Sequence, residues 1–221
     1  MMNDIKKTLR LMKYGDQFIV YMAVAVIWFV VGVIGMVWMV ASAGEVNVAP
    51  YPVFLIFVLC PSIMLVQCFA SLEATGMVAS SGKRRFVSQK GQNFLAIGGV
   101  GVMFLLVILI VLVQSLLAHR LIVGAGGIIL CAGIVASLFM IYAAVVYKSF
   151  VFGIILFTGC CAVYGIFGSY IIYKNPSFLV GLLLGSLAFI LGAVVSCLIR
   201  AALYKMPISK TALGAEMRKY M

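Results

Sequence analysis

The sequence predicts an all-α polytopic integral membrane protein with six transmembrane helices. Its 221 residues are 66% hydrophobic and only 10% charged, and the mean hydropathy is +1.25. A soluble domain carries about 25% charged residues and roughly half apolar ones, so this composition cannot form a water-facing surface. Long apolar runs alternate with short connectors, and basic residues cluster in every second connector. The whole chain, residues 1–221, is therefore predicted to be a single transmembrane domain.

The N-terminal segment, residues 1–16, predicts an amphipathic helix lying in the cytoplasmic interface of the membrane. Ile5, Leu9 and Met12 recur on one helical face, a spacing typical of helices that rest on an apolar surface. The remaining faces carry basic side chains: Lys6, Lys7, Arg10 and Lys13. The alternative is a basic leader that only sets the topology.

Six apolar runs predict the membrane spans. A span needs about 20 mostly apolar residues to cross a hydrocarbon core about 30 Å thick. The first run is too long for a cleavable signal peptide and lacks a small-residue cleavage site. The connectors between runs leave no soluble domain on either side. The predicted spans cover residues 18–43, 51–74, 93–117, 121–146, 150–173 and 177–202.

The distribution of Lys and Arg predicts the orientation. With six crossings, fourteen of the sixteen basic residues fall on one side, and only Arg120 and Lys174 fall on the other. Because cytoplasmic connectors carry the excess of Lys and Arg, both termini are predicted to be cytoplasmic. The net charge of +11 then reflects basic cytoplasmic segments that contact anionic lipid headgroups. We therefore predict no nucleic-acid partner.

The segment between spans two and three, residues 75–92, is longer than the other connectors and strongly basic. Small residues open it, and "KRRFVSQK" could then form two helical turns with Phe86 as its apolar anchor. A short cytoplasmic helix of this kind is typical of a docking element. A solvated loop that fixes the topology and binds lipid phosphate is the alternative.

Span two carries a mildly polar stripe. A polar side chain in hydrocarbon must face protein or water, so the stripe predicts a translocation path or a subunit interface. Pro61 lies on the same helix, where it kinks the helix or frees a carbonyl. The residues of this predicted path are Cys60, Pro61, Met64, Gln67 and Ser71.

Span six carries a stripe of small residues at helical spacing, which predicts close helix–helix packing. Its members are Gly181, Gly185, Ala188, Gly192 and Ser196.

Catalytic and metal chemistry have no candidate residues in this sequence. Ionisable side chains are almost absent from the spans, which argues against a proton relay or a cation channel. The six cysteines fall inside apolar runs without metal-ligand spacing, and His119 has no partner serine. We predict no catalytic residue, no metal site and no enzymatic activity in this chain.

Two segments carry a resemblance to a known family. "KKTLRLMKYG" (Lys6–Gly15) and "SSGKRRF" (Ser80–Phe86) are similar in place and character to the connecting helix and the coupling helix of the type-2 ABC exporters, a family of drug, bacteriocin and polysaccharide export permeases. The resemblance implies that the second segment docks an ABC ATPase subunit. The docking residues would be Ser80, Ser81, Gly82, Lys83, Arg84, Arg85 and Phe86.

The same resemblance implies the remaining partners and the reaction. The chain has no Gly-x-x-x-x-Gly-Lys-Ser/Thr loop, so ATP and Mg would be bound by the separate ATPase. A second membrane subunit, identical or related, would complete a path that moves a peptide, lipid or drug-like substrate out of the cytoplasm of a bacterium. The connector "YKNPS" (Tyr173–Ser177) is shorter than the element that many family members carry before span six.

Two alternatives stay open. The first is the substrate-binding membrane subunit of a vitamin importer, which would need a polar pocket at the outer face. The second is a non-transport membrane scaffold or immunity protein.

Overall fold

The computed structural model describes residues 6, 10, 18–43, 56, 58, 59, 61, 82, 85–117, 124–146 and 150–205. Most of the predicted interfacial helix lies outside these residues, although Lys6 and Arg10 are helical and exposed. Most of the predicted second span, residues 51–74, lies outside them as well.

Every secondary-structure element among the described residues is helical, as the sequence predicts. A π-helical turn, Phe86–Gly91, continues directly into the second long helix. The long helices coincide with five of the six predicted spans. They are α1 (Phe18–Ala43), α2 (Gln92–Leu117), α3 (Ala125–Val145), α4 (Phe150–Tyr173) and α5 (Phe178–Leu203).

Within the described part of the chain, three helical segments are long and apolar enough to cross a membrane: Phe86–Leu116, Ala125–Val145 and Phe178–Leu203. Together with the composition, these segments indicate a membrane protein. Crossing by all six predicted helices stays a prediction.

Helices α3 and α5 pack closely because small residues let their backbones approach. Gly126 lies against Gly181, and a methyl group on Gly181 would stand 2.5 Å from the Gly126 Cα atom. Further along, Gly133 lies against Gly185, and a Cβ atom on Gly133 would stand 2.6 Å from the Gly185 Cα atom. The contacting positions advance together along both helices, so α3 and α5 are parallel.

Serine hydroxyl groups bond across the same contact. The Ser137 hydroxyl is shared between two carbonyl oxygens, that of Gly133 in its own helix at 2.8 Å and that of Ala188 in α5 at 2.5 Å. The Ser196 hydroxyl donates to the Met140 carbonyl across the helix pair at 2.9 Å. These bonds satisfy the hydroxyl groups of a part-buried and a fully buried serine, and they join α3 to α5.

The order of contacts shows that α4 runs antiparallel to α3. Gly127, near the start of α3, lies against Ile172 near the end of α4, where an added Cβ atom would stand 2.6 Å from the Ile172 Cα atom. The Cys131 thiol, one turn further along α3, lies 3.6 Å from the Gly168 carbonyl, which comes earlier in α4.

Helix α2 runs antiparallel to α5. Asn93 at the start of α2 bonds to Arg200 near the end of α5. Further along, the Phe104 and Phe189 rings stack with 5.5 Å between their centroids. The helices α2, α3, α4 and α5 therefore alternate in direction, as consecutive membrane crossings do.

Helix α3 is the central helix of the described bundle. In its most apolar stretch 67% of the residues are buried, compared with 17% in α5. The outward faces of the other helices expose large apolar side chains, among them Ile19, Trp38 and Leu183. Such faces suit contact with lipid tails, which are as apolar as these side chains.

The turn between α4 and α5 closes one end of this bundle. Asn175 adopts a left-handed backbone with φ of 46°, a conformation that asparagine tolerates better than most residues. Its side-chain oxygen accepts a hydrogen bond from the Gly124 N–H group at 2.8 Å. Gly124 immediately precedes α3, so the α4–α5 turn holds the start of the central helix.

Candidate functional site at the basic end of the bundle

The two ends of the described bundle differ in charge. The start of α2 and the end of α5 share one end, because Asn93 and Arg200 meet there. Among the described residues, this end carries the basic side chains of Arg85, Lys90, Arg200 and Lys205. The opposite end, at the α4–α5 turn, carries Lys174. We name the first of these the basic end.

The predicted docking segment is described only in part. Gly82 and Arg85 are exposed, and Phe86 is half-buried. The other members predicted from the resemblance lie outside the described residues: Ser80, Ser81, Lys83 and Arg84.

The described part of the segment is an extension of α2, whereas the sequence suggested a separate short helix. Arg85 and Gln92, which flank the π-helical turn, both have right-handed helical backbones. Val87, Ser88 and Gly91 are buried, so one side of the turn packs onto the bundle. Because these residues pack onto the bundle, the turn continues the axis of α2 instead of forming a separate helix. A π-helical turn is a rare conformation that occurs often at functional sites.

The outer side of this turn borders a cavity of about 400 Å³. Four side chains line it: Arg85, Phe86, Gln89 and Lys90. Two cations, an amide and an aromatic ring make this lining suitable for an acidic side chain or another anionic group. Arg85 and Lys90 therefore belong to one surface, to which a negatively charged partner could bind.

Arg200 lies beside this surface and is 3% exposed. Its Nη1 atom donates a hydrogen bond to the Asn93 side-chain oxygen at 2.7 Å. Its Nε and Nη2 atoms are enclosed and make no hydrogen bond to any described residue. A buried guanidinium group with two unused donors is costly, so Arg200 is the polar residue of the bundle whose surroundings most need an explanation.

The sequence interpretation counted Arg200 only as one of the basic residues that set the topology. A signal was nevertheless present, because Arg200 precedes three further apolar residues of the helix, Ala201, Ala202 and Leu203. A cation inside an apolar span is unusual, and such residues often mark functional positions.

The stripe predicted to pack in span six lies along the contact between α5 and α3. Gly181, Gly185, Gly192 and Ser196 are buried there. The Ala188 carbonyl accepts the hydroxyl of Ser137.

The polar stripe predicted in span two is represented by one described residue, Pro61, which is buried. Cys60, Met64, Gln67 and Ser71 lie outside the described residues.

Comparison of the chain with protein-family models, with curated proteins and with solved structures gives no match.

Proposed function

We propose that this chain is the membrane-spanning permease subunit of an ATP-driven exporter. Its basic end faces the cytoplasm and docks a separate ABC ATPase through residues 75–90. A second membrane subunit, identical or related, completes the path for a peptide, lipid or drug-like substrate. The observation that carries the proposal is the joining of the basic segment to a helix that is long enough to cross the membrane.

The length of that helix supports transmission of movement. The π-helical turn and α2 contain 6 and 26 residues, and they form one continuous helix. At about 1.5 Å per residue this helix is about 48 Å long, compared with a hydrocarbon core of about 30 Å. The basic start of the helix therefore extends beyond the core. A partner bound there would move α2 directly.

The surface chemistry supports a negatively charged protein partner. Arg85 and Lys90 are exposed and line the cavity at the π-helical turn, and the half-buried Phe86 adds an apolar ring to the same lining. Exposed cations around an aromatic ring suit a groove with acidic walls and an apolar floor. The direction of the helices supports a cytoplasmic location, because the basic end also carries Lys205 and the end of α5.

Co-purification of this chain with any ABC ATPase that the neighbouring genes encode tests the proposal. Three docking residues, Lys83, Arg84 and Arg85, are changed together to Ala. The matched control changes three other basic residues of the same predicted face, Lys210, Arg218 and Lys219, to Ala. We expect the first variant to retain roughly tenfold less ATPase than the wild type, since each lost surface ion pair contributes up to about 1 kcal/mol. The control variant is expected to retain the ATPase.

Two results would contradict the proposal. If no ATPase accompanies the wild-type chain from membranes that contain both proteins, the exporter function loses its support. If both triple variants release the ATPase equally, general charge attraction is responsible and residues 75–90 are not the docking element. Extraction of each variant from the membrane fraction, with an unchanged unfolding temperature, shows that the permease itself is intact.

A further inference from the structure

The guanidinium group of Arg200 has one complete hydrogen-bonding edge that is enclosed and has no acceptor among the described residues. The Nε and Nη2 atoms lie on the same side of the planar group, and both lack an acceptor among the described residues. Nη1, on the other side, is held by Asn93 at 2.7 Å. Asn93 thereby fixes the plane of the group, and the N–H groups of the other edge stay enclosed without an acceptor among the described residues. Two parallel N–H donors match two oxygen atoms of one phosphate or carboxylate group.

The position of Arg200 along α5 is close to the expected edge of the hydrocarbon core. Helix α5 contains 26 residues, and Arg200 lies in its last turn. A helix of that length is about 39 Å long, which exceeds a hydrocarbon core of about 30 Å. Centred on the core, a helix of this length would bring Arg200 to the edge of the core, within reach of lipid phosphate groups. The group is covered by protein, so it differs from a surface lysine that meets lipid only by general attraction.

Neighbouring charge favours an anion at this point. Lys90 lies three residues before Asn93 on the same continuous helix, so its positive charge belongs to the end of the bundle where Asn93 bonds to Arg200. Among the described residues, this end carries four basic side chains and no acidic one. Basic pockets between helices on the cytoplasmic side are the places where anionic headgroups bind membrane proteins.

We propose that Arg200, oriented by Asn93, binds a phosphate group at the basic end of the bundle. The phosphate belongs either to an anionic lipid headgroup or to a free phosphate ion, and both would occupy the same guanidinium edge. This site goes beyond the docking of an ATPase and does not depend on it.

Binding of a defined lipid to the full-length chain in mild detergent tests the site. Native mass spectrometry measures how much phosphatidylglycerol stays bound, and an uncharged galactolipid with the same acyl chains is the reference. We expect the wild type to retain phosphatidylglycerol and Arg200→Gln to bind it at least about tenfold more weakly, as loss of hydrogen bonds to a charged group predicts. Lys174→Gln removes one charge at the opposite end and is expected to change binding less than about twofold.

Two further variants separate binding from a purely structural role. Arg200→Lys keeps the charge but not the planar fork, so we expect weakened binding in a folded chain. Asn93→Asp places a carboxylate beside Arg200 and neutralises it within the fold. We expect this variant to stay folded and to lose phosphatidylglycerol, because the carboxylate competes with the phosphate. If Arg200 only fastens α5 to α2, Asn93→Asp would leave lipid binding unchanged and the proposal would be wrong.

The source of the phosphate is decided by a second measurement. Thermal unfolding of the lipid-free chain is compared in inorganic phosphate and in chloride at equal ionic strength. Stabilisation by inorganic phosphate that Arg200→Gln removes identifies free phosphate as the natural occupant, whereas retention of phosphatidylglycerol alone identifies the lipid. Binding of neither by the wild type overturns the proposal. It is also overturned if Glu73→Gln destabilises the lipid-free chain as much as Arg200→Gln and the two changes are not additive, since Glu73 would then be the partner.

Discussion

At the scale of single residues, the contact between α3 and α5 depends on the absence of Cβ atoms at a few positions. A Cβ atom on Gly133 would meet the backbone of Gly185, with the nearest carbon atoms 2.6 and 2.7 Å away. Backbone atoms cannot turn aside as the end of a flexible side chain can. The two helices would have to separate, and the hydroxyl bond from Ser137 to Ala188 lies directly beside this point.

Gly133→Ala is therefore expected to destabilise the protein by about 1–3 kcal/mol, the usual cost of overpacking. Gly98→Ala is the matched control, because Gly98 is also helical but no atom lies within 4 Å of its added Cβ. The control should be neutral or more stable by about 0.5–1 kcal/mol, since alanine has the better helix propensity. Unfolding in detergent measures both changes. Equal stabilities would mean that the α3–α5 contact is looser than described here.

Sequence patterns at this scale predicted close packing at Gly185 but did not predict the burial of Arg200. A four-residue repeat of small residues predicts a close helix contact because only small residues let backbones meet. That repeat does not identify the opposite helix, and α3 becomes recognisable as the partner only from the contacts. The burial of Arg200 depends on how α2 and α5 lie together, so no local pattern specifies it.

At the scale of elements, the turn between α4 and α5 does more than connect two helices. Asn175 provides a left-handed residue for the turn and an acceptor for the Gly124 N–H group. The Gly124 backbone is itself left-handed, with φ of 83°. The start of α3 is thus fixed by a residue 51 positions away in the sequence.

Substitution of Asn175 separates its two contributions. Asn175→Ala loses the hydrogen bond to Gly124. It also places alanine, which has no polar side chain to compensate, in the left-handed region of the backbone. We expect the free energy of unfolding to fall by about 2 kcal/mol. Asn175→Gly loses the bond but tolerates the backbone, and we expect about 1 kcal/mol. Thermal unfolding in detergent gives both values. If the glycine variant is the less stable of the two, the left-handed conformation is not what selects asparagine here.

Helix positions were predictable from hydropathy, whereas the form of the basic segment was not. Apolar runs mark helices because a backbone in hydrocarbon must satisfy its own hydrogen bonds. Within Phe86–Gly91 the sequence alternates charged, polar and apolar residues over too short a distance to distinguish a separate helix from an extension of α2. Packing of Val87, Ser88 and Gly91 onto the bundle decides that point.

At the scale of the whole molecule, alternating helix directions produce the difference in charge between the two ends. The chain begins α2 at the basic end, and after four helices of alternating direction α5 ends there as well. Asn93 and Arg200 therefore meet although 107 residues separate them in the sequence. Lys90 and Lys205 therefore belong to the same surface. The rule that cytoplasmic ends carry the excess of Lys and Arg then predicts that this end faces the cytoplasm.

Cysteine labelling in intact cells tests this orientation. The six native cysteines are replaced, and single cysteines are introduced by Gly82→Cys at the basic end and Ser177→Cys at the opposite end. Both positions are exposed, and no atom lies within 4 Å of a Cβ atom added to Gly82. A maleimide that cannot cross membranes should label Ser177→Cys in intact cells and Gly82→Cys only after permeabilisation. Labelling of both cysteines in intact cells, or the reverse pattern, would rule out a cytoplasmic basic end. The same result would place residues 75–90 outside the cytoplasm. A cytoplasmic ATPase could not bind them there, and the proposed docking would be wrong.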